Sequence, residues 1–258
     1  MTLRIGCLAA LSLLTGLALA GPAFAGPPFL TDDPEPVELG HWEVYGFSFG
    51  GNGHGDTSGL GPSLEVNYGA AEGLQLHFIG GFAYDDPPGE NFRMGLSDTE
   101  LGAKLRFVKP DEDDWYPQVG IFPLVEIPTG DAKRGLGAGE WQEFLPLWLQ
   151  KDWGDWTTYG GGGYWINPGP GARNYWFAGW LVQRQMTDKL AFGAEIFHQT
   201  SSMVGRGGAS GFSVGGQYDV TDHYHLLFSV GRGGLAYAVD AAAVRDPVTY
   251  YLAFQKTF

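Results

Sequence analysis

Residues 63–78 read SLEVNYGAAEGLQLHF, and apolar and polar side chains alternate on both sides of a short central turn. In the first half Leu64 and Val66 fall on one face and Glu65 on the other. In the second half His77 again stands opposite an apolar face. A period of two is typical of a β-strand with one apolar and one polar face, and the turn indicates a hairpin.

The same alternation recurs along the chain, and short turns alternate with longer loops rich in Gly and Asp. We predict strands at residues 41–50, 61–69, 73–82, 97–108, 116–127, 141–152, 156–167, 175–186, 189–199, 210–220, 223–232 and 248–258. The longer loops are 51–60, 83–96, 128–140, 167–174, 200–209 and 233–247. This layout predicts an all-β fold, a single antiparallel transmembrane β-barrel of about 12 strands in a closed up-and-down meander.

Composition excludes several other classes of protein. Of 258 residues 42 are Gly, whereas only 17% are charged, which argues against a helical bundle or coiled coil. A net charge of −14 argues against a nucleic-acid partner, whose binding surface would be basic. No run approaches the roughly 18 apolar residues that a membrane-spanning helix needs.

The first 25 residues have the layout of a secretory signal peptide. Arg4 precedes the apolar stretch 7–20, and Ala23 and Ala25 fit the cleavage motif. Removal of this peptide would also remove Cys7, the one cysteine of the chain.

Three regions are therefore predicted: a signal peptide (1–25, removed), an N-terminal periplasmic segment (26–40) and the outer-membrane barrel (41–258). Residues 31–38, TDDPEPVE, are acidic and contain proline, which keeps the chain extended. This stretch fits either a periplasmic tail or a plug folded into the barrel, and the tail is the favoured interpretation.

The C-terminal strand carries its own signal. Tyr250, Leu252, Phe254 and Phe258 share one face, and Lys256 interrupts them with an amine that can reach water at the interface. A terminal aromatic residue after alternating apolar positions predicts contact with outer-membrane lipid and recognition by the barrel assembly machinery.

Five stretches carry a resemblance to a known family: FLTDDPEP at 29–36, GHWE at 40–43, LEVNYG at 64–69, DTELGAK at 98–104 and PQVGIFP at 117–123. In these the chain resembles the bacterial outer-membrane transporter family named for the MetA pathway of phenol degradation. The resemblance implies an outer-membrane barrel and, through the name alone, passage of small aromatic compounds. It supplies no catalytic or binding residues.

If the apolar faces meet lipid, the opposite faces line the barrel interior. The candidate lumen-lining residues are Glu65, His77, Glu100, Lys104, Arg106, Gln118, Phe122, Glu126, Trp148 and Glu195. They fit a polar track that orients a solute, or a self-neutralising network that fills a narrow barrel. Between residues 117 and 185 both faces are rich in apolar residues, which fits either an aromatic slide for solutes or ordinary interior packing.

Candidate catalytic and metal-binding histidines have few partners. The run 198–202, HQTSS, could pair a histidine with a serine, but it lacks a residue to orient the base, and no enzyme is predicted. His223 and His225 share a strand face, and His54 and Asp56 share a loop. Each pair is short of the four ligands of a closed zinc site, so no metal and no cofactor are predicted.

We therefore expect an outer-membrane channel of a Gram-negative cell that allows passive passage of small solutes, aromatic or hydrophobic ones among them. The excess of acidic residues predicts a preference for cations over anions. The alternatives are a barrel-borne lipid hydrolase, a structural barrel without an open pore and a secreted soluble β-sandwich.

Overall fold

The computed structural model describes residues 27–53, 55–111, 114–233 and 247–258. All the described strands belong to one sheet. They are β1 (Trp42–Gly53), β2 (Asp56–Ala71), β3 (Leu74–Asp86), β4 (Arg93–Leu96), β5 (Thr99–Val108), β6 (Gln118–Ile121), β7 (Leu124–Ile127), β8 (Gln142–Trp153), β9 (Trp156–Ile166), β10 (Tyr175–Thr187), β11 (Leu190–Gln199), β12 (Ala209–Thr221), β13 (Tyr224–Gly233) and β14 (Val248–Thr257).

The sheet closes on itself because β1 pairs antiparallel with both β2 and β14. Segments β4 and β5 both pair with β3 and together form one strand of the wall. Segments β6 and β7 likewise both pair with β5 and β8. The fold is thus a closed antiparallel barrel of 12 strands, which confirms the predicted fold class.

Two predicted strands are interrupted. The strand predicted at 97–108 begins earlier, with β4, and is broken at residues 97–98. The strand predicted at 116–127 is broken at Phe122 and Pro123. Proline has no backbone N–H to give to a ladder, although the Pro123 carbonyl still accepts a hydrogen bond from the backbone N of Ala103 (N to O 3.2 Å).

Two loops predicted to be long are wrong in extent. Residues 51–60 largely continue β1 and β2, which pair up to Gly53 and Asp56. Residues 83–96 continue β3 and add β4, so that only 87–92 connect them. Backbone pairing does not require alternating apolar side chains, so the ladder continues into these stretches. The sequence pattern does not show it because glycine has no side chain that could mark the period of two.

The outer surface of the barrel is apolar and the inner surface is polar. On the outward face, Leu64, Leu147 and Leu252 are between 44% and 51% exposed. On the inward face, Glu65 and Gln255 are at most 5% exposed. A continuous apolar belt around a closed sheet meets hydrocarbon rather than water.

Aromatic side chains mark the end of the barrel at which β1 begins and β14 ends. Trp42, Trp153, Trp156 and Tyr224 lie there, all exposed, as does the terminal Phe258. Aromatic rings prefer the boundary between lipid and water. In outer-membrane barrels this end, which carries the chain termini, faces the periplasm, and the opposite end is external.

The loop between β7 and β8, residues 128–141, folds back against the external end. It contains a short 3-10 helix, η1 (Ala132–Arg134). The Asp98 carboxylate accepts hydrogen bonds from the backbone N–H groups of Gly130 (2.8 Å) and Ala138 (2.6 Å). No helix in the described ranges is long and apolar enough to cross a bilayer.

The outward orientation of Leu147 predicts the effect of a charge there. Leu147→Arg should destabilise the folded barrel by about 2–4 kcal/mol, because a guanidinium near the middle of the wall must enter hydrocarbon. Urea unfolding in lipid vesicles, followed by the mobility shift of folded barrel on unboiled gels, measures this.

Val204→Arg is the matched control. Val204 is 67% exposed but lies in the external loop after β11, so its replacement should leave the unfolding midpoint unchanged. Equal effects of the two substitutions would show that the wall around Leu147 faces water.

Candidate functional site

The N-terminal segment, residues 27–38, lies inside the barrel. The Glu195 carboxylate in β11 accepts hydrogen bonds from the backbone N–H groups of Leu30 (3.1 Å) and Thr31 (2.9 Å). The Ser229 hydroxyl in β13 donates to the backbone carbonyl of Pro28 (2.7 Å). These partners belong to the wall far along the chain, so the segment is anchored across the lumen.

The acidic side chains of the segment meet the cations of β5. The Lys104 ammonium lies 2.9 Å from an Asp32 carboxylate oxygen and 3.3 Å from one of Asp33. The Arg106 guanidinium lies 3.3 Å from the Glu35 carboxylate. Both Lys104 and Asp33 are almost fully buried, where a charge is tolerated only with a partner.

Two wall glycines make room for the segment. A Cβ atom at Gly179 in β10 would lie 2.1 Å from the Thr31 hydroxyl oxygen. A Cβ atom at Gly120 in β6 would lie 2.9 Å from a side-chain carbon of Pro34. Glycine inside a strand often marks such a close approach of another backbone.

The segment therefore lies inside the barrel and is not the periplasmic tail that the sequence favoured. Because Lys104 and Arg106 point inward, they need counter-charges, and the acidic run 31–38 supplies them. The sequence did contain a signal for this contact. Two cations face inward on β5, and an acidic stretch outside the strands is available to pair with them.

Three predicted lumen-lining residues join one hydrogen-bonded chain. The His77 Nε2 atom lies 2.9 Å from the Glu100 carboxylate, and its Nδ1 atom lies 2.7 Å from the Asn67 amide oxygen. The Asn67 amide nitrogen donates to the Glu65 carboxylate (2.9 Å). Asn67 was not among the candidates, although it shares the inward face of β2 with Glu65.

Gln118 continues the polar group around Arg106. The Arg106 guanidinium donates to the Gln118 side-chain oxygen (2.6 Å), and the Gln118 amide nitrogen lies 3.3 Å from the Asp152 carboxylate. Together with the ion pairs of the N-terminal segment, these bonds occupy part of the periplasmic half of the interior.

Aromatic side chains cover one sector of the inner wall. The rings of Phe144 and Trp165 stack at 4.7 Å between centroids, and those of Trp165 and Tyr175 stack at 5.9 Å. They occupy cross-strand neighbouring positions on β8, β9 and β10. The buried cluster consists of Phe122, Leu124, Phe144, Trp148, Trp165, Tyr175, Phe177 and Phe197.

Two of the eight cluster residues were among the candidates. Phe122 and Trp148 were predicted to face inward, and both are buried. Trp165, Tyr175 and Phe177 lie inside the stretch 117–185 that was expected to be rich in apolar residues on both faces, but they were not among the candidate lumen-lining residues.

A cavity of about 1110 Å³ lies between this aromatic sector and the N-terminal segment. Its lining includes Pro168 and Met203 at the external end and His223 and Phe258 at the periplasmic end. The predicted Glu126 also lines it. Acidic and aromatic side chains thus line the same cavity.

Of the candidate catalytic and metal-binding histidines, His223 lines the periplasmic end of the cavity, whereas His198 and His225 are not part of its lining. His198 is exposed, and its Nδ1 atom lies 2.8 Å from the Ser210 hydroxyl, whereas the Ser201 hydroxyl donates to the Met203 carbonyl. His225 lies 2.7 Å from the Asp219 carboxylate. In the described ranges no three His, Cys, Asp or Glu residues are grouped to hold a metal; His54 lies outside those ranges.

Closure, an apolar outer belt and a polar interior define a β-barrel of the Gram-negative outer membrane. No protein-family model and no curated protein matches the chain in sequence.

Solved structures share its fold. An outer membrane channel from Pseudomonas putida F1 is 17% identical with a TM-score of 0.67, covering 88% of this chain and 98% of that one. The NanC porin is 11% identical with a TM-score of 0.57, covering 83% of this chain and 98% of that one. The predicted barrel fold agrees with both.

The ion pairs of Lys104 predict that this residue retains the N-terminal segment. In a Thr31→Cys background a membrane-impermeant maleimide should react slowly, because Thr31 is fully buried. Adding Lys104→Met leaves Asp32 and Asp33 without their cation, which is strongly destabilising for a buried pair. Labelling should then accelerate at least tenfold.

Lys151→Met is the control, since Lys151 donates to the Asp114 carbonyl in a periplasmic turn and should leave labelling slow. The predicted mature chain has no competing thiol, because Cys7 lies in the signal peptide. Fast labelling of Thr31→Cys alone would contradict burial of the segment.

The close contact at Gly179 gives an independent prediction. In the Thr31→Cys background Gly179→Ala places a methyl group against residue 31, because a Cβ atom at Gly179 would lie 3.2 Å from the Cβ atom of that residue. The segment must shift, and labelling should again accelerate. Gly46→Ala, whose Cβ would meet nothing within 4 Å, should change neither labelling nor folding. Unchanged labelling in Gly179→Ala would place the segment elsewhere.

Proposed function

We propose that the chain is a channel for passive passage of small aromatic or hydrophobic solutes across the outer membrane. The observation that carries the proposal is the 1110 Å³ cavity whose lining reaches both ends of the barrel and includes Trp165 and Tyr175. A space of this size holds a molecule of drug size or smaller. The two structural relatives described above, a channel and a porin, support the same general role.

The aromatic sector favours flat or apolar solutes over sugars. Trp165 and Tyr175 line the cavity and belong to one stack with Phe144, and a planar solute can exchange contact with one lining ring for contact with the next. A sugar has no flat apolar face of this kind to place on the rings.

The N-terminal segment narrows the route. It is fastened to Glu195, Lys104 and Arg106 in the middle and periplasmic part of the lumen. A route beside a fixed segment passes small molecules and retards large ones, so the segment sets the size limit. The movement of solute follows its own concentration gradient.

Conductance in planar bilayers tests the proposal. Phenol should block the ionic current reversibly, and sugars of similar size should not. Trp165→Leu should weaken the block about two- to tenfold, the effect expected for loss of one aromatic contact.

Trp176→Leu is the control, because Trp176 is 60% exposed on the outer face of β10 and should leave the block unchanged. Absence of any current, or equal passage of phenol and sugars, would overturn the proposed function.

A further inference from the structure

The Glu126 carboxylate in β7 lines the cavity. Within the described ranges no hydrogen bond or ion pair joins it to another residue. Its register neighbours are Glu100 on β5 and Gln142 on β8. The Gln142 amide nitrogen is already bonded to the Asn167 side-chain oxygen (2.7 Å), and Glu100 is bonded to His77.

The cations around the cavity are already engaged. Lys104 is paired with the N-terminal segment, and the Arg93 guanidinium is paired with the Asp85 carboxylate. Glu100 and Glu126 are register neighbours on β5 and β7, and His77 of β3 lies on the other side of Glu100, to which it is bonded. Neighbouring like charges repel each other, and a positive group placed between them removes the repulsion.

A second polar group beside the pair also lacks a partner. The Ser97 hydroxyl oxygen is buried without a hydrogen bond, its residue is 6% exposed, and it lines the same cavity. It lies at the break between β4 and β5, three residues before Glu100. A buried hydroxyl without a partner is costly, and it can accept a hydrogen bond from an ammonium group.

The aromatic stack begins next to these carboxylates. Gln142, opposite Glu126, precedes the stacked Phe144 by two residues on β8. Two residues of a strand span about 7 Å. Trp165, which stacks on Phe144 and lines the cavity together with Glu126, therefore lies within reach of a ligand whose positive group meets that carboxylate. Aromatic faces also attract cations.

We propose that this part of the cavity is a binding site for an aromatic monoamine in its protonated form. The ammonium group lies between Glu126 and Glu100 and donates to the Ser97 hydroxyl, and the ring lies on Tyr175 or Trp165. This inference rests on the proposed channel function and names its preferred class of solute.

Three compounds with one carbon skeleton test the site: 2-phenylethylamine, 2-phenylethanol and phenylacetate. Current block in planar bilayers measures the binding of each to the whole barrel. The amine should bind about tenfold or more tightly than the alcohol, because its hydrogen bonds to carboxylates are charge-assisted. Phenylacetate should bind most weakly.

Glu126→Gln should abolish the advantage of the amine and leave binding of the alcohol unchanged. Glu143→Gln removes the same charge from the exposed, outward side of β8 and should retain the advantage. If both variants lose it equally, the preference comes from overall charge and the site is overturned.

The two proposals fail separately. If the alcohol blocks the current and the amine has no advantage, the amine site is wrong and the channel stands. If none of the three compounds affects or crosses the barrel, the channel function itself is wrong.

Discussion

The structure depends on the requirement that every backbone N–H and C=O group in hydrocarbon has a hydrogen-bond partner. A sheet satisfies it only by closing, and here the closure is the ten-residue ladder between β1 and β14. Once the sheet is closed, alternation assigns each side chain to lipid or to the interior. The apolar outer belt and the polar inner wall are therefore two consequences of the same constraint.

The inner wall then creates a second requirement, since inward charges need partners. The wall supplies some of them itself, as in the chain from Glu65 through Asn67 and His77 to Glu100. For Lys104 and Arg106 the partners come from the N-terminal segment. The interior is thus completed by a part of the chain that is not in the sheet.

These contacts divide the interior into two parts. The segment and its ion pairs occupy part of the periplasmic half, in the manner of a self-neutralising network. The cavity continues beside them to His223 and Phe258, and Trp165, Tyr175 and Glu126 line it. A solute track along this cavity is the function proposed above.

The sequence alone determined the strands, their inward and outward faces and closure into about 12 strands, because side-chain alternation is a local property. It identified Glu65, Lys104 and Trp148 as inward for the same reason. It could not determine that Leu30 meets Glu195, 165 residues away, or that Glu126 has no hydrogen bond or ion pair with another described residue. Such contacts depend on the register of non-adjacent strands and on the path of the N-terminal segment, which only the closed barrel brings together.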